Sequence, residues 1–170
     1  NQYEIIVTNP PFAGAEEDEI KSNLPIGMQT TDTALAFLVY IMYSLKDNGK
    51  CGIILPEGPL FGTGGVVGKI KQKLLEEFNL HTVIRLPGTV FKPYTGIATN
   101  ILFFDKKGKT KDIWYYQMKV DERLRGVTRG KNPKYTMSNP ILYEDFEEIE
   151  KWLKNKKENE NAWKVSVDDL

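Results

Sequence analysis

The chain has 170 residues, 41% of them apolar, and 23 basic side chains balance 23 acidic ones. That is enough for one domain with a true core, and the zero net charge means that any nucleic-acid contact must be a local patch. A single cysteine, Cys51, excludes an internal disulfide, and no apolar run reaches the ~18 residues of a membrane span.

The first residues, YEIIVTN (3–9), read as a buried strand, apolar and β-branched, stopped by two prolines. The chain does not begin with Met and residue 3 already enters a strand, which suggests a piece of a longer protein. Residues 13–29 read as irregular and polar, with room for one short helix. TDTALAFLVYIMYSLKDNG (31–49) has the pattern of a helix capped by Thr31 or Asp32. Leu35, Leu38, Val39, Met42 and Leu45 recur at helical spacing, and Asn48-Gly49 supplies a left-handed stop.

CGIILPEG (51–58) predicts a second buried strand, and GGVVGKIKQKLLEEF (64–78) a second helix with Val67, Ile70, Leu74, Leu75 and Phe78 inward. Strands follow over 80–87, 99–106 and 112–119, with a loop at 88–98 and a basic turn between the last two. Residues 120–140 are polar, and 119–135 carry six Lys or Arg against two acids, a candidate phosphate or subunit contact as well as a plain solvated loop. Residues 141–158 form an amphipathic helix expected to pack on its own domain, and 162–170 begin an element that the pattern leaves unfinished.

Apolar strands alternating with helices predict an α/β fold with a mostly parallel sheet covered on both faces. The short 88–98 link predicts an antiparallel pair at one side. Ligands of such sheets sit at the carboxyl ends of the strands. NPPF (9–12), PEGPLF (56–61) and LPGTVFKPY (86–94) fall there.

NPPF carries chemistry beyond a turn. An aromatic amine, such as the exocyclic amino group of adenine, is a poor nucleophile because its lone pair is delocalised into the ring. Two acceptors on its two hydrogens pull the nitrogen toward tetrahedral geometry. Asn9 offers a side-chain carbonyl, Pro10 a backbone carbonyl held by its ring, and Phe12 a face for base stacking, worth ~1–3 kcal/mol. A base inside a duplex has to be flipped out to reach such a site.

IVTNPPF resembles the catalytic motif of amino-group DNA methyltransferases that use S-adenosylmethionine. TALAFLVYIMYSLKDNGKCGIILPEGPLF, EEFNLHTVIRLPGTVFKPYTGIATNILFFDK, DIWYYQMK and FEEIEKWLKNKKENENAWKVSVDDL resemble the modification subunit of type I restriction–modification systems, in that family's order. The resemblance implies a partial Rossmann-like methyltransferase sheet. Residues 1–119 would be the target-base half of the catalytic domain, and 120–170 a linker and helical extension.

It also implies the roles. Asn9 and Pro10 bind the target amino group, Pro11 shapes the loop beside the methyl donor, and Phe12 stacks on the flipped adenine. Phe91 or Tyr94 helps hold that base, and Ala36 and Phe37 lie close to the cofactor. The implied activity is cytoplasmic, site-specific adenine methylation of double-stranded DNA. A specificity subunit reads the sequence, with a restriction subunit as a further partner and no membrane involved. The family's Gly-rich cofactor turn and its acidic residue precede NPPF and are not among these residues. A sheet without those strands has an exposed edge beside 3–9, expected to pair or to be blunted by a loop, and the 170 residues alone are expected to be inactive.

Other signals are weaker. FGTGG (61–65) lies after a later strand and reads as a connector. Glu57 is a cleft carboxylate or a solvated loop acid. His81, the sole histidine, has no neighbours at metal-ligand spacing, and Cys51 reads as a small buried hydrophobe. Competing readings are an RNA or protein amino-group methyltransferase, which usually carries Tyr at the aromatic position, and a non-catalytic assembly module.

Overall fold

The computed structural model describes residues 2–12, 14, 21–58, 62–127 and 132–170. Parts of the irregular 13–29 segment, residues 59–61 of PEGPLF and FGTGG, and residues 128–131 of the basic stretch lie outside the described residues.

The elements in order are β1 (Tyr3–Thr8), α1 (Thr33–Ser44), β2 (Leu45–Pro56), α2 (Gly65–Glu77), β3 (Asn79–Arg85), β4 (Thr99–Asp105), β5 (Asp112–Gln117), α3 (Glu147–Lys154) and β6 (Ala162–Ser166). They build one six-stranded sheet in the order β1-β2-β4-β3-β5-β6. The β1–β2 and β3–β5 ladders are parallel, whereas β4 runs antiparallel to β2 and β3, and β6 antiparallel to β5. The sheet is therefore mixed, with four strands sharing one direction. The reversal expected at the 88–98 link is β4, inserted between β2 and β3. The unfinished element at 162–170 is β6, which closes the far side on β5.

Helix α1 starts where its cap predicts: the Asp32 carboxylate accepts the Leu35 N–H at 2.9 Å. It ends at Ser44, five residues short of the expected stop, because Leu45 turns into β2. Asn48 does adopt a left-handed conformation (φ 62°), inside an irregular stretch of β2 where the β1 register jumps from Tyr3–Leu45 to Ile5–Lys50. Helix α2 begins at Gly64 (φ 77°) and Gly65 (φ 54°), a left-handed entry that suits glycine. This is the connector role expected of FGTGG.

Two cores flank the sheet. On one face α1 and α2 bury Leu38, Val39, Met42, Ile70 and Leu74 against Ile53, Leu55, Leu102 and Phe104. Phe104 meets Phe78 edge to face at 5.7 Å. On the other face α3 lays Ile149 and Trp152 on Ile84, Tyr116 and Ala162, so this helix packs on its own sheet as its periodicity predicts. Arg123 ties the connecting segment down with two bonds to the Asp145 carboxylate, at 2.7 and 2.8 Å. Cys51 is a core residue whose thiol pKa burial pushes up to about 12.

The opening strand departs from its expected burial. β1 is a sheet edge with β2 as its sole partner, and Ile5 and Val7 are 70% and 82% exposed. Its apolar composition reads as buried on both faces. An edge strand, however, has one lateral neighbour, and no described element covers the Ile5–Val7 side.

Phe104→Ala removes a side chain with no solvent exposure at the centre of the larger core. It is expected to lower unfolding free energy by about 3–5 kcal/mol in urea titrations.

Candidate active site

The shared strand direction decides what meets at one end of the sheet. The β1–β2 register pairs Thr8 with Ile53, the β2–β4 register Pro56 with Thr99, and the β3–β4 register Arg85 with Asn100. Asn9, Glu57 and Arg85 therefore emerge along a common edge, together with the 88–98 loop.

There Asn9 is exposed, with no side-chain hydrogen bond to a described residue, while Pro10 is buried and Pro11 exposed. The two acceptors the chemistry needs are thus carried on a loop anchored by one proline. Gly14 helps to seat it: its φ is 150°, and a Cβ there would lie 2.9 Å from the Thr33 hydroxyl oxygen at the start of α1. A small residue lets the loop lie close to that helix.

Phe12 is half-buried and meets Phe91 edge to face, with ring centroids 4.9 Å apart at 80°. The structure thus brings Phe91 to the NPPF loop and leaves Tyr94 at 88% exposure. The 88–98 loop is held at both ends and in the middle. Leu86 N–H donates to the Thr99 carbonyl and Glu57 N–H to the Ala98 carbonyl, and Tyr135 N–H donates to the Thr89 hydroxyl at 3.0 Å. The loop contains a cis Lys92–Pro93 peptide.

Two charged residues join these aromatics. Arg85 Nη2 lies 2.9 Å from one Glu57 oxygen and 3.1 Å from the other, bridging the ends of β3 and β2 over the start of β4. Glu57 is thus a paired carboxylate at this edge. Arg85 was not singled out in the sequence; the available signal is a cation closing the otherwise apolar strand LHTVIR.

The two cofactor candidates separate. Ala36 is 6% exposed within the core, while Phe37 is 38% exposed. Phe37 lines an apolar groove of about 330 Å³ with Ile6, Val7, Thr8 and Tyr40 along β1 and α1. No charged side chain lines this groove. It suits the flat or apolar part of a donor such as S-adenosylmethionine, and not its ammonium or carboxylate.

Among the described residues no group of His, Cys, Asp and Glu could hold a metal ion, and His81 lies at the opposite edge. Among them, too, no helix is long and apolar enough to cross a membrane.

The N-6 DNA Methylase family model matches residues 1–170. The chain belongs to this family. It is 46% identical over 176 residues to the type I restriction enzyme EcoEI methylase subunit of Escherichia coli, covering 99% of this chain and 34% of that protein. A Vibrio vulnificus protein described as the modification subunit of a type I restriction enzyme has the same fold, with a TM-score of 0.89 at 44% identity, over 99% of this chain and 34% of that one. The EcoKI M protein shares the fold at a TM-score of 0.73 and 23% identity, over 98% of this chain and 40% of that one. This N-6 DNA methylase chain therefore spans about a third of the length of that E. coli relative.

The Phe12–Phe91 contact predicts an energetic coupling. A double-mutant cycle of Phe12→Ala and Phe91→Ala, read by urea unfolding, is expected to give ~0.5–1.5 kcal/mol. Tyr94→Ala is expected to change stability by less than about 0.5 kcal/mol.

Proposed function

We propose that the intact protein transfers a methyl group to the exocyclic amino nitrogen of adenine in double-stranded DNA. In this reading it is the modification subunit of a type I restriction–modification complex. The observation that carries the reading is the placement of Asn9-Pro10-Pro11-Phe12: an exposed side-chain amide at a sheet edge, with no hydrogen bond to a described residue, next to an aromatic pair.

The Asn9 side-chain oxygen and the Pro10 carbonyl accept the two amino hydrogens of a flipped adenine. This localises the nitrogen lone pair, which is otherwise spread into the ring. Pro11 shapes the turn that presents these acceptors beside the donor. Phe12 offers its outer face to the base, and Phe91 braces that ring from the side. S-adenosylmethionine supplies, when bound, an electrophilic methyl on a sulfonium. Phe37 would flank its apolar part, with Ala36 setting the depth of the groove behind it. The polar groups that such a donor needs lie outside the residues of this groove. Arg85, half-exposed and tethered by Glu57, is a cation available to a DNA phosphate at the same edge.

Base selection belongs to a separate specificity subunit in this reading, with a restriction subunit as an additional partner. The complex works in the cytoplasm, where its DNA is. The family match and the likeness to type I methylase subunits support this assignment.

The test is to express the full-length protein with its specificity subunit in a host lacking its own adenine methylation. Modified bases are then mapped by long-read sequencing. Methyladenine at one asymmetric motif is expected. With Asn9→Ala it should fall by about 10²-fold or more, the scale for losing one positioned transition-state partner. Unmodified DNA from a soluble, assembled complex would redirect the search to RNA and protein acceptors.

A further inference from the structure

The opposite edge of the sheet holds a second concentration of chemistry. The registers place Lys50, Asp105 and Asn79 side by side there, and Thr82 beside Trp114. This edge is the amino end of β3, a seven-residue strand that ends at Arg85, so the two edges lie about 20 Å apart at strand rise. It borders an open pocket of about 450 Å³. The β4–β5 turn sends Lys107, Lys109 and Lys111 to its rim, and Trp114 and Lys156 form part of its wall.

Lysine clusters are usually solvated surface. Three features set this one apart. First, none of Lys107, Lys109, Lys111 and Lys156 has an ion pair with a described residue, whereas Lys106 pairs with Asp47 and Lys164 with Asp112 at the margin. Second, Lys156 is half-buried: its ammonium lies 5.9 Å from the Trp152 ring centroid and donates to the buried Thr82 hydroxyl. Burial pushes its pKa down, the sign of a desolvated cation without a counter-charge.

Third, Thr82 Oγ1 also lies 2.8 Å from His81 Nδ1. A hydroxyl that accepts from an ammonium keeps one proton and one lone pair, so Thr82 can pair with Nδ1 in either tautomer and fixes the orientation of the ring. His81 lines the cavity with its ring held by Thr82. Burial lowers its pKa, as do Lys156, Lys107 and Lys50, against an opposing pull from Asp105. The cavity thus offers donors of several kinds, and its acidic members are Asp105 behind and Asp112 at the rim.

We propose that this cavity binds phosphate groups, carried by a mononucleotide or by a nucleic-acid backbone. Three exposed ammonium groups with no ion pair to a described residue, the half-buried Lys156 ammonium, the His81 imidazole and the Asn79 amide are donors that suit tetrahedral phosphate oxygens, and their convergence from three separate segments on one pocket distinguishes the site from a run of lysines along one loop. The inference is independent of the methyl-transfer reading, since no residue of the NPPF edge takes part.

The test uses the full-length protein and its K107E/K109E/K111E variant, whose substituted side chains are exposed. Calorimetry with AMP and with inorganic pyrophosphate reads the mononucleotide arm. Fluorescence anisotropy of a short labelled duplex across a salt series reads the backbone arm. Binding weakened at least about tenfold in the variant, in either arm, supports the site. In the duplex arm the salt slope should also fall by about one per lysine removed. Lys156→Gln, inside the cavity, is expected to lower the same affinity with thermal unfolding unchanged. Absent binding in both arms, or binding that neither variant alters, overturns the proposal. Loss of methylation in the Asn9→Ala protein with these affinities intact keeps the two readings apart.

Discussion

The parallel ladder between β1 and β2 is the constraint on which the candidate site rests. It is the sheet contact that holds β1, and its register, Thr8 against Ile53, fixes how far the strand runs before Asn9 leaves it. A shift of one residue would turn Ile6 from the α1 side to the open side and move the Asn9 carbonyl out of line with Glu57 and Arg85. Pro10 then ends the ladder, since it has no N–H to donate. Asn-Pro-Pro-Phe is thus a strand end that leaves Asn9 exposed and Pro10 buried at the edge shared with Glu57 and Arg85. The aromatic edge contact of Phe12 with Phe91 joins this strand end to the 88–98 loop, which Tyr135 in turn holds through Thr89.

The zero net charge conceals a division of labour between the two ends of one sheet. The NPPF edge is aromatic, with its one arginine already paired to Glu57. The opposite edge collects Lys107, Lys109, Lys111 and Lys156, which have no ion pair with a described residue, around an open pocket. Strand direction does the sorting: β1, β2, β3 and β5 all deliver their carboxyl ends to one side, and the basic β4–β5 turn necessarily falls on the other. The cation that composition alone offered for DNA, the 119–135 stretch, is partly committed elsewhere. Arg123 is held by Asp145 and Arg125 by Glu122.

Much of this arrangement was legible in the sequence, for local reasons. The cap at Asp32, the periodicity of Ile70, Leu74 and Phe78, and the prolines after two strands each act within a few residues of their cause. The family was legible because NPPF and the segments after it carry its motifs in order. What was not legible depends on non-local pairing. Leu45 belongs to a strand because β1 pairs with it, against the helical spacing it also satisfies. β6 is a strand because β5 has a free edge to accept it. The exposure of Ile5 and Val7 follows from position in the sheet, which apolar composition does not encode. The lysine cavity joins residues 79–81, 107–114 and 156, too far apart in the chain for any motif to reveal.

The central claim, that the NPPF edge takes an adenine out of the duplex, is tested most directly by placing 2-aminopurine at the methylated position of the recognition site. Its emission is then followed as the full-length protein and its specificity subunit bind. The account predicts a change in emission on binding that differs between the native protein and Phe12→Ala, because the flipped base leaves the stack and meets the Phe12 ring. Emission identical to that of free duplex, in a complex shown to be bound, would contradict it.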